Sequence, residues 1–453
     1  MARGLPKSLL DQLNPPQRAA VTTLSGPMLV LAGAGTGKTR VVTFRIANLI
    51  RHGVSPPRIL AVTFTNKASR EMKERVGQLV KPDRVNGKTK KEADEETMPV
   101  VATFHAYCVQ ILRRHIKKLG YPERFAIYDR GDQEGLARKV LREIKVTDTA
   151  LKPNELLWCI SGWKNRCIRP PEAVNVAETD KEHLAAVAYR RYQRALKNAG
   201  AVDFDDLLLL TEELFSGNVE VRREEAGRLD HLLIDEYQDT NGSQYRIVRA
   251  LASGHRNLCV VGDDDQSIYG WRGAEVEHIL HFQRDWPEAK IVRLEDNYRS
   301  QAEIINVANR LIEFNSTRHG KTLRPARGGG QRPQVWQAED EEKESQMVVA
   351  DIQRKLKTGS DPGDFAILFR TNEQPRIFEQ QLRKANLPYI LVGGMSFFDR
   401  REVRDVLAYL KIMEHPDDEV SLRRIINTPP RGIGSTSVEQ WTASAVDAGK
   451  PLW

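Results

Sequence analysis

Only four cysteines occur among the 453 residues, Cys108, Cys159, Cys167 and Cys259, with no CxxC pair and no nearby histidine pair at zinc-finger spacing. That excludes a disulfide scaffold and a zinc finger, and it reads as the reduced thiols of a cytosolic protein. No apolar run approaches the ~20 residues needed to span a bilayer. The opening stretch MARGLPKSLLDQLNPPQ has no apolar signal core, so no membrane is expected and nothing points away from the cytoplasm. Internal repeats and low-complexity tracts are also missing. What remains is 40% hydrophobic and 29% charged, enough to bury the cores of roughly three domains. The formal charge of +8 fits a polyanionic partner without requiring one.

Two segments carry chemistry. Ala32 to Thr39 read AGAGTGKT, after the apolar run Met28 to Leu31 and at the start of an expected helix. A loop of this kind, Ala32, Gly33, Ala34, Gly35, Thr36 and Gly37, aims backbone N–H groups at a phosphate chain, and the helix N-terminus adds positive potential. Lys38 then neutralises β- and γ-phosphate charge, and the Thr39 hydroxyl ligates Mg²⁺. The strict pattern begins with glycine where this chain has Ala32, but Gly33, Gly35 and Gly37 still allow the tight path. Further on, Leu232 to Thr240 read LLIDEYQDT. An apolar strand ending in Asp235-Glu236 supplies a Mg²⁺ carboxylate, Asp235, and a base for water, Glu236. A surface acidic pair after a core strand is the plain alternative; the occurrence of both motifs in order favours binding and hydrolysis of ATP.

Roughly 200 residues separate Thr39 from Asp235, whereas a strand–helix–strand unit needs only ~30 or more. Something is therefore inserted. Ala106 to Gly200 carries amphipathic helical patterns such as CVQILRRHIKKL and LAAVAYRRYQRALKNAG. Lys81 to Glu96 is polar, of mixed charge and without periodicity, which reads as a solvated loop. The sheet is expected to resume near Asp203-Phe204-Asp205-Asp206, then at His231 to Ile234 and Leu258 to Val261. Arg324 to Pro333 reads as a loop or hinge. Strands at Val335 to Gln337, Phe365 to Phe369 and Tyr389 to Val392 then alternate with helices at Asp340 to Lys357 and Glu373 to Ala385. From Asp399 the chain is helical again.

Further segments fall in one order: LNPPQ from Leu13, AVTFTNKASREMKER from Ala61, ATFHAYCVQILRR from Ala102, VVGDDDQSIYGWRGA from Val260 and LEDNYRS from Leu294. With the two nucleotide motifs, the chain resembles the UvrD/Rep-type superfamily 1 DNA helicases from about residue 10 onward. The resemblance implies an α/β fold: a RecA-like P-loop parallel-sheet domain (1–110 and 200–292) with an inserted helical subdomain (111–199). An incomplete second RecA-like domain (293–398) and the start of a helical accessory domain (399–453) follow.

By the same resemblance Gln17 reads adenine, Arg40 and Tyr298 sandwich its ring, and Arg299 reaches the γ-phosphate from the second domain. A guanidinium over an aromatic face is physically sound. Gln266 sits beside the γ-phosphate, and Trp271 in the same short segment stacks on a base. Phe64 is a second stacking aromatic, Thr63, Asn66, Thr103 and His105 lie near the sugar–phosphate chain, and Arg272 adds backbone charge. Stacking on aromatics tolerates any base, which suits a motor. Taken alone, Phe64 and Trp271 would read as core packing. RGIGSTSVEQW from Arg431 resembles a helix-hairpin-helix loop gripping duplex backbone, with Gly432 and Gly434 allowing close approach and Thr436 and Glu439 at capping-box spacing. A simple helix–helix turn is the alternative there. Gly270 and Ala106 depart from the family's frequent arginine and serine.

Taken together, the resemblance implies an ATP- and Mg²⁺-dependent 3′-to-5′ translocase and helicase. It would act on single-stranded DNA and single/double-strand junctions, with repair or replication-restart proteins as partners. The family's late motifs have no match here, so the chain reads as the front part of a longer helicase. Two alternatives stay open: a non-motor ATP- and strand-binding piece with weak turnover, and an RNA-directed relative.

Overall fold

The computed structural model describes residues 5–80, 98–147, 149–371, 374–392, 401–447 and 452. The loop expected at Lys81 to Glu96 lies outside them. The chain divides into two compact units, 1–331 and 332–453.

The first unit is built on apolar runs short enough for strands: β1 Met28–Ala32, β2 Ile59–Thr63, β3 Val100–Thr103, β6 His231–Ile234, β7 Leu258–Gly262 and β8 Lys290–Leu294. They form one parallel sheet in the order β3-β2-β6-β7-β1-β8. Every residue of β1, β2, β6 and β7 is buried, as expected for central strands covered on both faces. Alternation divides their side chains between two cores. Leu29, Leu31, Leu60, Val62, Leu232, Ile234, Leu258 and Val260 face one side. Met28, Val30, Ala32, Ile59, Ala61, Leu233, Cys259 and Val261 face the other. All six strands run the same way, so their carboxyl ends share one edge, the edge at which ligands bind in such sheets.

The inserted stretch is helical, at Arg130–Glu143, Pro153–Asn165, Pro170–Val176 and Asp180–Asn198. A buried ion cluster ties it to the next segment: Lys164 Nζ lies 2.6 Å from Asp203 and 2.7 Å from Asp206. The strand expected at Asp203 to Asp206 is corrected here. β5 is Ala201–Val202, it pairs with β4 Ala126–Ile127 in a separate two-stranded sheet, and Asp206 opens the helix Asp206–Gly217. The reason lies in the side chains: Asp203 and Asp206 accept each other's backbone N–H groups in a helix-start turn, where a main-sheet strand would strand two carboxylates in the core.

Helices Glu341–Lys357 and Pro375–Lys384 form in the second unit, followed by Arg401–Glu414, Glu419–Ile425 and Ser435–Asp447. The strands expected at Val335 to Gln337, Phe365 to Phe369 and Tyr389 to Val392 do not form; their backbone is irregular. Val335 is 98% exposed and Leu368 93%. A parallel strand needs a hydrogen-bonded neighbour, and among the described residues none pairs with these segments.

Candidate functional site

At the carboxyl end of β1 the chain turns through Gly33 to Gly37 into the helix Lys38–Arg51. Gly35 (φ 68°) and Gly37 (φ 89°) adopt left-handed backbone, which only glycine takes without strain. Close packing also demands glycine: a Cβ on Gly35 would lie 2.6 Å from the Arg299 Cβ, and one on Gly37 2.9 Å from the Gln17 amide nitrogen. The Thr36 hydroxyl donates to the Gly33 carbonyl at 2.8 Å, closing the loop. Ala32 is the last residue of β1 and fully buried. Its methyl packs in the core, so the departure from the strict motif leaves the loop itself intact.

Opposite the loop stands the end of β6. Lys38 Nζ donates to Glu236 Oε2 at 2.7 Å, and Gln238 Nε2 donates to the same oxygen at 3.1 Å. Glu236 has left-handed backbone, φ 52°, uncommon for a residue with a side chain and frequent at functional sites. Asp235 is buried. Burial above all, then the charge of Glu236, pushes its carboxyl up to about 7 despite Lys38. Asp239, three residues on, is pushed up to about 7 by the same two causes, and its buried Oδ1 has no hydrogen-bond partner. A half-buried Thr39 hydroxyl, the Asp235 carboxylate and the free Oδ1 of Asp239, whose Oδ2 accepts from Gln238 Nε2, are hard oxygens of the kind that suits Mg²⁺.

Around this centre the other nucleotide candidates gather. Gln17 N–H donates to Asn14 Oδ1 at 2.9 Å in a capping box, its Oε1 accepts the Asn14 N–H at 3.1 Å, and its Nε2 donates to the Thr36 carbonyl at 2.8 Å. Its amide is thus engaged with the protein. Asn14 Nδ2 donates to the Tyr298 hydroxyl at 2.9 Å, and Tyr298 N–H donates to the Gly35 carbonyl at 3.0 Å. Arg40 lies over Phe44, 5.3 Å from its ring centre, and donates to Gln12. Exposed Arg299 stands beside the loop, and Gln266, after β7, donates to Asp263.

Beyond β2 and β3 lie the strand-binding candidates. Thr63 is buried, its hydroxyl turned to Ser69 and the Thr65 carbonyl. Asn66 is exposed at the start of the helix Asn66–Leu79. Phe64 stacks on Tyr269 at 6.0 Å, Tyr269 lies 6.3 Å from Trp271, and Arg272 sits 4.5 Å over the Trp271 ring. Trp271 is 60% exposed, which rules out the core-packing alternative for it. Thr103 caps the helix Phe104–His115 through the Ala106 N–H. His105 stacks on Phe204 at 3.9 Å, and burial lowers its pKa to about 4. It is neutral near pH 7 and offers a ring face and a hydrogen bond, not a charge. In the second unit Gly432 has φ 71° and Gly434 precedes the helix. That helix begins at Ser435, with Val438 N–H donating to the Gly434 carbonyl, so Thr436 lies inside it and cannot be the cap its spacing suggested.

Residues 13–287 match the model of the UvrD/REP helicase N-terminal domain and residues 292–449 that of the UvrD-like helicase C-terminal domain. The chain is 43% identical over 434 residues to the ATP-dependent DNA helicase PcrA of Staphylococcus aureus, covering 96% of this chain and 58% of that protein. The PcrA of Staphylococcus epidermidis matches to the same extent. The chain belongs to the UvrD/Rep helicase family. It spans 58% of the length of these relatives.

Sequence reasoning missed several residues of this candidate site. Tyr269 bridges Phe64 and Trp271; its place two residues before Trp271 in an exposed polar loop was the available signal. Phe204 is 53% exposed; a lone aromatic among the three aspartates Asp203, Asp205 and Asp206 was the signal for a surface role. Asn14, Gln238 and Asp239 act by hydrogen bonds or charge that only the fold brings together. So does Lys321, buried against three aspartates.

Proposed function

We propose that this chain is an ATP-dependent DNA translocase and helicase module moving 3′ to 5′ on single strands. It would work in the cytoplasm at single/double-strand junctions with repair or replication proteins. The observation that carries this reading is one shared sheet edge: the phosphate loop with Lys38, Asp235 and Glu236 sits on the same edge as the aromatic line Phe64–Tyr269–Trp271, half-buried at Phe64 and Tyr269 and exposed at Trp271. The four-part domain division stated from sequence belongs to the same proposal.

In this reading the triphosphate lies on the N–H groups of Gly33 to Gly37. Its γ-phosphate draws Lys38 from Glu236, which frees that carboxylate to orient and deprotonate the attacking water. Thr39 and Asp235 would hold Mg²⁺, which when bound neutralises charge between the β- and γ-phosphates. Arg299 and Gln266 approach the γ-phosphate. Gln17 exchanges its Thr36 bond for the adenine edge, and Arg40 and Tyr298 swing onto the ring. Bases stack along Phe64, Tyr269 and Trp271, with Thr63, Asn66, Thr103, His105 and Arg272 along the backbone. Gly432 and Gly434 would meet duplex phosphates.

A second reading, a non-motor module with weak turnover, is favoured by the apolar segments of the second unit that pair with no strand among the described residues. Steady-state ATPase with and without single-stranded DNA decides between them. DNA-stimulated hydrolysis that falls at least about 10²-fold in Lys38→Ala, at unchanged secondary structure, supports the motor. Equal rates in parent and variant would sink the phosphate-loop assignment. Competition between DNA and RNA strands tests the nucleic-acid preference.

A further inference from the structure

Asp263, Asp264 and Asp265 follow β7 consecutively and immediately precede Gln266. Three adjacent carboxylates, the first two buried, repel one another and would open this turn unless each oxygen had a partner. Each has one. Lys321 Nζ, its side chain 2% exposed, lies 2.7, 2.6 and 2.7 Å from Asp263, Asp264 and Asp265 respectively. Arg318 grips Asp265 through two bonds of 2.8 and 2.6 Å. His319 N–H donates to the second Asp264 oxygen at 2.7 Å, and Gln266 Nε2 takes the second Asp263 oxygen. On the far side, Gln238 Oε1 accepts the Asp263 N–H at 2.9 Å, so the turn also touches the segment that holds Glu236. Burial works against the Lys321 charge, but the field of Asp263 and the bonds to all three aspartates raise its pKa. It is a fixed cation.

The segment that supplies these partners also reaches the nucleotide side. Leu323, two residues beyond Lys321, packs on the phosphate loop so closely that a Cβ on Gly33 would lie 2.2 Å from it. Asn309 clamps both the N–H and the carbonyl of Leu323, at 3.1 and 2.9 Å. β10, Arg324–Pro325, pairs with β9, Asp296–Asn297, directly before Tyr298 and Arg299.

We propose that Lys321, backed by Arg318, is a positioning residue that fixes the Asp263–Asp265 turn so that Gln266 and the Arg299 segment move together, coupling nucleotide to the strand held at Trp271. The coupling half of this proposal rests on the function proposed above; the clamp itself does not.

The test uses the full chain as parent, Lys321→Met, and the double variant Lys321→Met/Asp264→Asn, which removes one carboxylate along with the cation. If Lys321 serves only to balance charge, the double variant recovers all parent properties. The clamp predicts otherwise: the double variant recovers the parent melting temperature, while amides from Gln266 to Trp271 exchange hydrogen at least about tenfold faster than in the parent. The second readout is the ratio of oligodeoxythymidine affinity with and without Mg²⁺ and a non-hydrolysable ATP analogue. Coupling of this kind is typically about 5–150-fold; in the double variant it should fall to within about twofold of one, with nucleotide-free affinity unchanged. Parent-like exchange and parent-like coupling in the double variant would overturn the proposal. A parent that binds no nucleotide would sink the proposed function instead, and hydrogen exchange alone then decides the clamp.

Discussion

The two units treat similar apolar runs in opposite ways. In the first, β1 and β6 are buried at every position, flanked by hydrogen-bonded neighbours and covered on both faces. In the second, the runs around Val335, Leu368 and Ile390 are irregular and largely exposed, although their composition is equally strand-like. β-propensity describes fitness for a pleated, covered surface rather than an intrinsic backbone preference, and the contrast shows it within one chain. A catalytic edge needs rigid strand ends, since misplacement of about 1 Å costs orders of magnitude in rate. Among the described residues, the first unit offers such an edge and the second does not.

The largest test of that difference is chemical. Glu236→Gln is expected to lower turnover by about 10²–10⁴-fold, because no carboxylate then remains to take the water's proton. Mg·ATP affinity should hold or rise, since Lys38 loses its 2.7 Å competitor for phosphate. Isothermal titration beside steady-state ATPase reads both, and a matching loss of affinity would make Glu236 a structural residue.

Stability provides the next comparison. Leu233, in the centre of β6 and 1% exposed, should cost about 2–5 kcal/mol on truncation to alanine. Leu368→Ser, at a site 93% exposed, should stay within about 0.5 kcal/mol. Denaturant unfolding of each variant beside the parent measures the gap. A large loss from Leu368→Ser would mean that its run is covered after all.

Why the first unit was legible and the second less so follows from the same physics. The Gly33–Thr39 loop and Asp235-Glu236 announce themselves because their chemistry requires particular residues next to one another along the chain. Strands β1, β6 and β7 were readable as continuous apolar runs, and the inserted helices by their 3.6-residue period. Tyr389 to Val392 was equally apolar, but strand formation depends on neighbours that a local reading cannot supply. Asp203 to Asp206 was misread for the converse reason: the Lys164 that neutralises it lies far back in the sequence. The Lys321 clamp is likewise invisible until folding brings it onto Asp263, Asp264 and Asp265.

Strand binding gives a smaller effect, again confined to the ordered edge. Trp271→Ala should weaken single-strand affinity by ~1–3 kcal/mol, one lost stack, and reduce DNA stimulation of the ATPase while leaving basal hydrolysis near the parent rate. Titration with oligonucleotide at fixed salt is required, because backbone contacts are salt-dependent. Unchanged affinity and stimulation would leave Tyr269 and Phe64 as the stacking pair and remove Trp271 from the track.

The smallest expected effect concerns protons at the same edge. Burial, reinforced by Glu236, raises the Asp235 carboxyl from 3.8 to about 7 in the nucleotide-free protein. The folded state then holds a proton between about pH 4 and 7 that the unfolded chain has released, so the stability owed to this group is present at low pH and lost as pH rises through 7. Metal binding runs the other way, since Mg²⁺ needs the ionised carboxylate. Mg·ATP affinity should therefore climb between about pH 6 and 8, by no more than about tenfold per pH unit for one proton released, and level off above. Asp235→Asn should bind more weakly and lose most of that slope, while Asp239→Asn, which removes the second carboxyl raised to about 7, should keep it. Titrations of all three proteins across that range separate the two acids. A slope that survives in Asp235→Asn and vanishes in Asp239→Asn would move the metal carboxylate from the end of β6 to the turn that follows it.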